Sequence, residues 1–232
     1  MSIKDNLSRL QEQIAEACRR THRAESDVAL MAVSKVHPVE AILEAYAAGQ
    51  RLFGENRVQE FQEKASHLAG LSDAEFHLIG PLQSNKTTRA AELFQAIDAV
   101  DSLKIAQRLN SAAGALGKKL PVLVEVKLSD EASKHGLAPE ELPALLAAID
   151  GLTSIAVVGL MTVPPWSADP ELARPYFREL RRLRDKSQKM FPRVTQLSMG
   201  MSNDFVVAIE EGSTCVRVGT AVFGKRQMGS AL

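Results

Sequence analysis

The stretch VALMAVSK, residues 28–35, decides the fold of this chain. Six apolar residues are followed by Ser34 and Lys35, and Pro38 stands three residues after the lysine. A short apolar run bounded by a proline is typical of a buried strand, and proline is well tolerated at the first turn of a following helix. The stretch therefore predicts a strand that ends with Lys35 at the edge of the core.

The same unit recurs along the chain. Apolar runs predict strands at residues 28–34, 51–53, 76–79, 96–100, 122–126, 155–160, 195–198 and 214–218. Helical patterns lie between them at residues 39–48, 57–68, 85–94, 103–116, 139–149, 170–189 and 204–210. Short strands that alternate with helices predict βαβ units and a parallel sheet.

Eight such units match a (β/α)8 TIM barrel. Before the first strand, apolar residues at helical spacing predict an extra N-terminal helix, which Ser2 and Asp5 would cap: Ile3, Leu7, Leu10 and Ile14. The alternative is an open doubly wound sheet, but no strand is followed by the dinucleotide fingerprint G-x-G-x-x-G. We therefore expect an α/β protein with one barrel domain that spans residues 1–232.

Charge and composition limit the classes of partner that this chain is expected to bind. Basic and acidic residues balance at 28 each, so no net charge favours nucleic acid or an anionic membrane. No apolar run approaches the roughly 18–20 residues that cross a bilayer. The two cysteines, Cys18 and Cys215, lie far apart and predict reduced thiols rather than a disulfide framework. We expect a cytoplasmic protein with no nucleic-acid and no membrane partner.

Unusual polar and glycine residues gather at the carboxyl ends of the predicted strands. In TIM barrels this end carries the active site. The residues concerned are Lys35, 54–57, His77, 80–86, Glu125, Lys127, Met161, Thr162, 198–202 and 217–220. This distribution predicts a functional site at one mouth of the barrel.

Lys35 has two interpretations. A lysine at the edge of the core loses hydration, which lowers its pKa and prepares the amine for Schiff-base chemistry. Alternatively, its stem covers apolar surface while the ammonium reaches solvent. Its position alone does not separate the two.

The last two loops have the features of a phosphate site. Ser202 stands where it could cap the helix that begins at Asp204, and Gly219 and Thr220 add a hydroxyl and a backbone open to close approach. Barrels of this type often bind phosphate after strands seven and eight. The alternative is that Ser202 is only a helix cap and Gly219 only a tight turn.

Arg217 alternates with two valines, so it faces the barrel mouth if the valines face the helices. It needs an acceptor, which could be Glu125, Glu55 or the ring nitrogen of a ligand. His77 is either a satisfied core histidine or part of the pocket. A Schiff-base lysine, a phosphate cradle and an arginine together suggest a phosphorylated aldehyde, with pyridoxal 5′-phosphate as the first candidate.

Motifs spread over nearly the whole chain closely resemble the pyridoxal 5′-phosphate (PLP) homeostasis protein family. They are AVSK (32–35), FGENRVQE (53–60), HLIGPLQSNK (77–86), SKHGL (133–137), GLMT (159–162), LSMGMSNDF (197–205) and VRVGT (216–220). The resemblance implies a barrel like the N-terminal half of alanine racemase. A polar or basic pair is expected after the lysine, where this chain has Val36 and His37.

The resemblance also implies the roles of single residues. Lys35 would hold PLP covalently as an internal aldimine, and Arg217 would face the pyridine nitrogen. Ser202, Gly219 and Thr220 would hold the phosphate, and the pocket would be lined by Asn56, His77 and Met199. The family is thought to bind, buffer and deliver the cofactor, with PLP-dependent apo-enzymes as candidate partners.

An enzyme, a weak PLP-dependent amino-acid racemase, is the alternative. Racemisation needs a base on each face of the bound amino acid. Lys35 could serve one face, but the only tyrosines, Tyr46 and Tyr176, fall in predicted outer helices. A permanent cation at Arg217 would also disfavour protonation of the ring nitrogen and weaken carbanion chemistry. We expect a non-catalytic carrier or regulator, with no catalytic residues and no metal site.

Two further segments leave alternatives open. The basic stretch 178–189 could dock a partner, but Phe177, Leu180 and Leu183 recur every three residues and indicate the solvated face of an outer helix. The loop 133–136 is either a second anion contact or an ordinary solvent loop. We expect a monomer or a weak dimer.

Overall fold

Eight parallel strands close into a barrel in the computed structural model, which describes residues 2–129, 131 and 135–224. Each strand pairs with the next in chain order, and β8 pairs with β1. The strands are β1 (Ala29–Val33), β2 (Leu52–Glu55), β3 (Glu75–Leu78), β4 (Ala96–Val100), β5 (Leu120–Glu125), β6 (Ile155–Met161), β7 (Gln196–Ser198) and β8 (Cys215–Val218). This confirms the predicted (β/α)8 TIM barrel.

Helices form the layer outside the strands. They are α1 (Ile3–Arg20), α2 (Val39–Ala47), α3 (Val58–Leu68), α4 (Thr87–Leu93), α5 (Leu103–Ala115), α6 (Leu142–Asp150), α7 (Arg174–Gln188), α8 (Phe205–Glu210) and α9 (Thr220–Phe223). Short 3-10 turns lead into α4, α6 and α7 at Ser84–Lys86, Pro139–Glu141 and Pro170–Ala173. Within the described ranges, each helix is too short or too polar to traverse a lipid bilayer.

The predicted N-terminal helix completes the outer layer. The helix after β8, α9, has only four residues, and α1 packs against α8, α9 and α2. Its buried face includes Leu7, Leu10 and Ile14, and Asn6 donates a hydrogen bond of 2.9 Å to the carbonyl oxygen of Val222. The predicted cap is present, since Ser2 and Asp5 exchange hydrogen bonds in a capping box.

The strand boundaries depart from the sequence pattern by up to two residues, at β2 and at β5. The pattern ends this strand at residue 53, whereas β2 continues through Gly54 and Glu55, and both are buried. Gly54 fits there because a Cβ would lie 2.7 Å from the sulfur of Met31. Because Gly54 and Glu55 are not apolar, the apolar run stops at residue 53, and the predicted end of β2 came too early.

Candidate functional site

Three neighbouring strands bring most of the predicted site residues to one mouth of the barrel. Lys35 is half-buried and lies two residues after β1, and Arg217 lies within β8, paired in register with Met31. Gly219 and Thr220 directly follow β8. The turn that carries Ser202 follows β7, so these side chains belong to adjacent strand ends of a parallel barrel.

Arg217 is held inside the barrel by neutral oxygens. Its guanidinium donates to the hydroxyl of Ser198 at 2.7 Å and to the carbonyl oxygen of Thr162 at 2.8 Å. Arg217 forms no salt bridge with Glu125 or Glu55 among the described residues, so the predicted ion pairs were wrong, although the charge of Glu125 still acts on the guanidinium. Burial lowers the pKa of Arg217, but a guanidinium keeps its charge in proteins. The barrel interior therefore holds a buried cation that hydrogen-bonds to neutral groups and is favoured by the charges of Asp98, Glu125 and Asp204.

His77 pairs with a carboxylate that the sequence did not single out. Its Nδ1 atom lies 3.2 Å from Oδ1 of Asp98, which is buried in β4. Burial lowers the pKa of His77, but the hydrogen bond and the charge of Asp98 outweigh it and hold the pKa above its ordinary value. Asp98 satisfies one nitrogen of the ring, and contact between His77 and a cofactor stays a prediction. The missed signal was a single charge within the apolar run 96–100.

Ser202 is not a helix cap, and that prediction was wrong. The helix α8 begins at Phe205 after Asp204, and Ser202 lies in the turn before it. The Asp204 carboxylate accepts the backbone N–H of Met201 at 2.6 Å, and the Asp204 N–H donates to the Met201 carbonyl oxygen at 3.1 Å. This closed turn delays the helix and leaves the Ser202 side chain half-buried beside the mouth.

Two glycines let the loops at the mouth pack closely, one against a helix and one against another loop. Gly200 has φ +97°, and a Cβ there would lie 2.5 Å from Cβ of Ala208. A Cβ on Gly80 would lie 2.4 Å from the carbonyl oxygen of Asn56, so the loops after β2 and β3 touch through their backbones. Asn56 is thereby fixed next to the mouth, with its side chain half-buried.

The side chain of Met199 lies in the core. It is fully buried in the apolar core that includes Leu197, Phe205 and Val216. Its backbone accepts a hydrogen bond of 2.8 Å from the Ser213 hydroxyl. The predicted contact of Met199 with a cofactor therefore stays a prediction that its side-chain burial does not support.

The remaining predicted features are the two tyrosines, the basic stretch of α7 and the loop 133–136. Tyr46 lies on α2, where its hydroxyl donates to Asp73, and Tyr176 lies on α7. The face of α7 with Phe177, Leu180 and Leu183 is buried, as their recurrence every three residues predicted. Arginines of its basic stretch pair with carboxylates at Glu211 and Glu179. Ser133 and Lys134 lie outside the described residues.

The donors at the mouth suit a phosphorylated aldehyde. In the part of the chain that the structure describes, the hydroxyls of Ser202 and Thr220 enter none of the side-chain hydrogen bonds, so both can serve a ligand. Arg217 adds a fixed positive charge, and Lys35 adds a primary amine. Over the same residues, no group of three or more histidine, cysteine or acidic side chains is arranged to hold a metal ion.

Comparison with known proteins identifies the family. Residues 6–227 match the family model described as "Alanine racemase, N-terminal domain". A pyridoxal phosphate homeostasis protein of Vibrio alginolyticus is 44% identical over 228 residues, which cover 97% of this chain and 98% of the relative. The protein of that name from Escherichia coli K12 is 41% identical, with 97% of each chain covered. This chain belongs to the pyridoxal phosphate homeostasis protein family.

Solved structures agree with membership of the pyridoxal phosphate homeostasis protein family. PipY of Synechococcus elongatus without PLP has a TM-score of 0.88 at 41% identity, covering 96% of this chain and all of PipY. PipY with PLP bound has a TM-score of 0.82 at 43% identity, covering 91% of this chain. An alanine racemase of Clostridium difficile, at 16% identity and TM-score 0.76, shares the fold over 58% of its own length. The relatives' name describes homeostasis and no reaction, in agreement with the predicted carrier or regulator.

Proposed function

We propose that this chain binds PLP at the barrel mouth, holds it through a Schiff base on Lys35, and buffers, stores or delivers it without a clear catalytic activity. The observation that carries the proposal is the arrangement of a lysine, a buried arginine and two unengaged hydroxyls on adjacent strand ends. The binding of PLP by PipY, which is 43% identical to this chain, supports it.

Each proposed contact follows from the chemistry of the side chain. The hydroxyls of Ser202 and Thr220, with the backbone at Gly219, would hold the phosphate. Lys35 would supply the amine. The cofactor supplies an aldehyde that condenses reversibly with a primary amine, which permits both retention and release.

The cation at Arg217 favours a carrier over an enzyme. Placed beside the pyridine nitrogen, a permanent positive charge disfavours protonation of that nitrogen and makes the ring a weaker electron sink. Asn56 and His77 would line the pocket. Met199, whose side chain is buried in the core, would line it only through its backbone. Carbanion chemistry is thereby disfavoured, while exchange of the amine on the aldehyde is unaffected.

The wider setting belongs to the same proposal. PLP-dependent apo-enzymes would be the recipients, and the protein would act in the cytoplasm as a monomer or weak dimer. It would consist of one domain that spans residues 1–232. Size-exclusion chromatography with light scattering would test the oligomeric state.

The two cysteines form no disulfide, and burial raises the pKa of the Cys215 thiol to about 12, which keeps it unreactive.

Transfer of cofactor tests the proposed function. The protein loaded with PLP is mixed with a PLP-dependent apo-enzyme, and the recovery of the recipient's activity is followed over time. We expect recovery from the loaded wild type and none from Lys35→Ala treated in the same way and freed of unbound PLP. A loaded wild type that never activates the recipient would exclude delivery.

A further inference from the structure

The turn that presents Lys35 has a strained backbone. Val36 has φ +60°, a conformation that β-branched residues rarely adopt. Such residues persist where their surroundings hold them in place, and they are frequent at functional sites. The Val36 side chain is 58% exposed, so its own packing does not hold the turn. The turn is instead held by its own hydrogen bond from the His37 N–H to the Ser34 carbonyl oxygen at 3.1 Å, by the stacking of His37 on Phe223, and by polar contacts from a neighbouring helix.

Helix α3 contacts the peptide groups on both sides of Lys35. The backbone N–H of Val36 donates to Oε1 of Glu60 at 2.5 Å. The ammonium of Lys64 donates to the carbonyl oxygen of Ser34 at 3.2 Å. Glu60 and Lys64 lie one helical turn apart and pair at 2.8 Å. This Glu60–Lys64 clamp therefore joins α3 to the chain just before and just after Lys35.

The clamp is anchored in the barrel by Glu55. The Lys64 ammonium lies 3.2 Å from Oε1 of Glu55, and the same oxygen accepts the Ser34 hydroxyl at 2.7 Å. Glu55 is fully buried, and its Oε2 has no hydrogen-bond partner among the described residues. Lys64 is 9% exposed. A buried charge without its partner is strongly destabilising. The Lys64 ammonium is therefore held where three oxygens, from β2, α3 and the turn, converge.

We propose that Glu60 and Lys64 are positioning residues for Lys35. By fixing residues 34–36 they set the direction in which the Lys35 amine enters the mouth, and with it how tightly the cofactor is retained. This inference rests on the proposed function, because it requires Lys35 to be the point of attachment. It differs from general stabilisation because both contacts are made to backbone groups that flank one side chain.

Binding measurements on clamp variants test the inference. Glu60→Gln keeps the size of the side chain and Lys64→Met keeps much of its length, while each removes one charge. Either should raise the dissociation constant for PLP about tenfold, the factor that corresponds to the upper end of the net contribution of an ordinary hydrogen bond. Glu63→Gln, an exposed residue of the same helix, should leave the constant unchanged. Circular dichroism at the working temperature verifies that each variant is folded.

Coupling to Lys35 separates positioning from stability. In a Lys35→Ala background, Glu60→Gln should have no further effect on residual PLP binding. The inference is overturned if Glu60→Gln weakens binding equally in both backgrounds, or lowers only the melting temperature. If Lys64→Met does not fold, the double variant Glu55→Gln/Lys64→Met replaces it, because it leaves no stranded buried charge.

The two proposals fail differently. If Lys35→Ala alone binds PLP as wild type does, Lys35 is not the attachment point and the proposed function falls with the inference. If Lys35→Ala loses binding while Glu60→Gln behaves like Glu63→Gln, only the positioning role is wrong.

Discussion

Arg217 donates a 2.7 Å hydrogen bond to the hydroxyl of Ser198, and this contact joins the last two strands inside the barrel. Arg217 is only 4% exposed, and its guanidinium also donates to the carbonyl oxygen of Thr162 after β6. One side chain thus ties together three consecutive strand ends. A residue placed in this way fixes the geometry of the mouth even before a ligand arrives.

Replacement of Arg217 by methionine should destabilise the fold as well as weaken PLP binding. The change leaves buried acceptors without a donor, at a cost of about 1–3 kcal/mol for each. Arg19→Met is the control, because Arg19 is largely exposed and pairs with Glu16 one turn away. Urea denaturation of the unloaded proteins measures the free energy of unfolding of each variant, and a PLP titration measures the binding. Equal stabilities for the two variants would contradict the structural part of this account.

The His77–Asp98 pair should make stability depend on pH. The native pKa of His77 is raised, so its protonated form stabilises the fold fully below the unfolded value, near pH 6.5. That contribution is lost as the pH rises through the native pKa. The difference in free energy of unfolding between wild type and Asp98→Asn should therefore be larger at about pH 6 than at about pH 9.

Nuclear magnetic resonance titration of the imidazole checks the cause directly. Asp98→Asn should lower the pKa of His77, whereas Glu75→Gln should change it less, because that carboxylate is exposed and 3.8 Å from the ring. A His77 pKa that is unchanged in Asp98→Asn would refute the assignment of the shift to Asp98.

Gly200 should tolerate no side chain. Gly200→Ala adds a Cβ that overlaps Ala208, and overpacking of this kind costs about 1–3 kcal/mol beyond the strain of a positive φ. Gly49→Ala is a matched control, since Gly49 has φ +100° with nothing within 4 Å of the added Cβ. Thermal unfolding should show the larger loss for Gly200→Ala. Similar losses would mean that the loop after β7 can move away.

The loaded protein should not interconvert alanine enantiomers. The hydroxyl of Tyr46 is engaged by Asp73, and both tyrosines lie on outer helices, so neither provides a second base at the mouth. Chiral chromatography after prolonged incubation with L-alanine and PLP measures this. Interconversion that disappears in Lys35→Ala would revive the racemase alternative.

The strands and their order could be predicted because buried parallel strands are continuous apolar runs. The mouth could be predicted because polar residues at strand ends share one edge. The contacts of Arg217 could not be predicted, because the sequence offered Glu55 and Glu125 as equal partners. In the structure, Lys64 pairs with Glu55, and Arg217 donates to two neutral oxygens. Partner choice depends on register between strands, which alternation alone does not specify.

The missed residues lie where local patterns carry no signal. Lys64 occupies an ordinary helical position, and only the packing of α3 against the turn after β1 buries it. Ser202 was predicted as a cap, but the turn closed by Asp204 makes Asp204 the residue that precedes the helix. In both cases, contacts between segments distant in sequence or a local side-chain bond overrode propensity.

The central claim is that Lys35 attaches PLP, and absorption spectra before and after borohydride reduction test it most directly. Wild type and Lys86→Ala, which alters another half-buried lysine near the same mouth, should turn yellow with PLP. Reduction should then fix the cofactor on the peptide that contains Lys35, as peptide mass spectrometry would show. Lys35→Ala should give no such band. A wild-type protein that stays colourless with excess PLP, or a cofactor fixed elsewhere, would contradict the account.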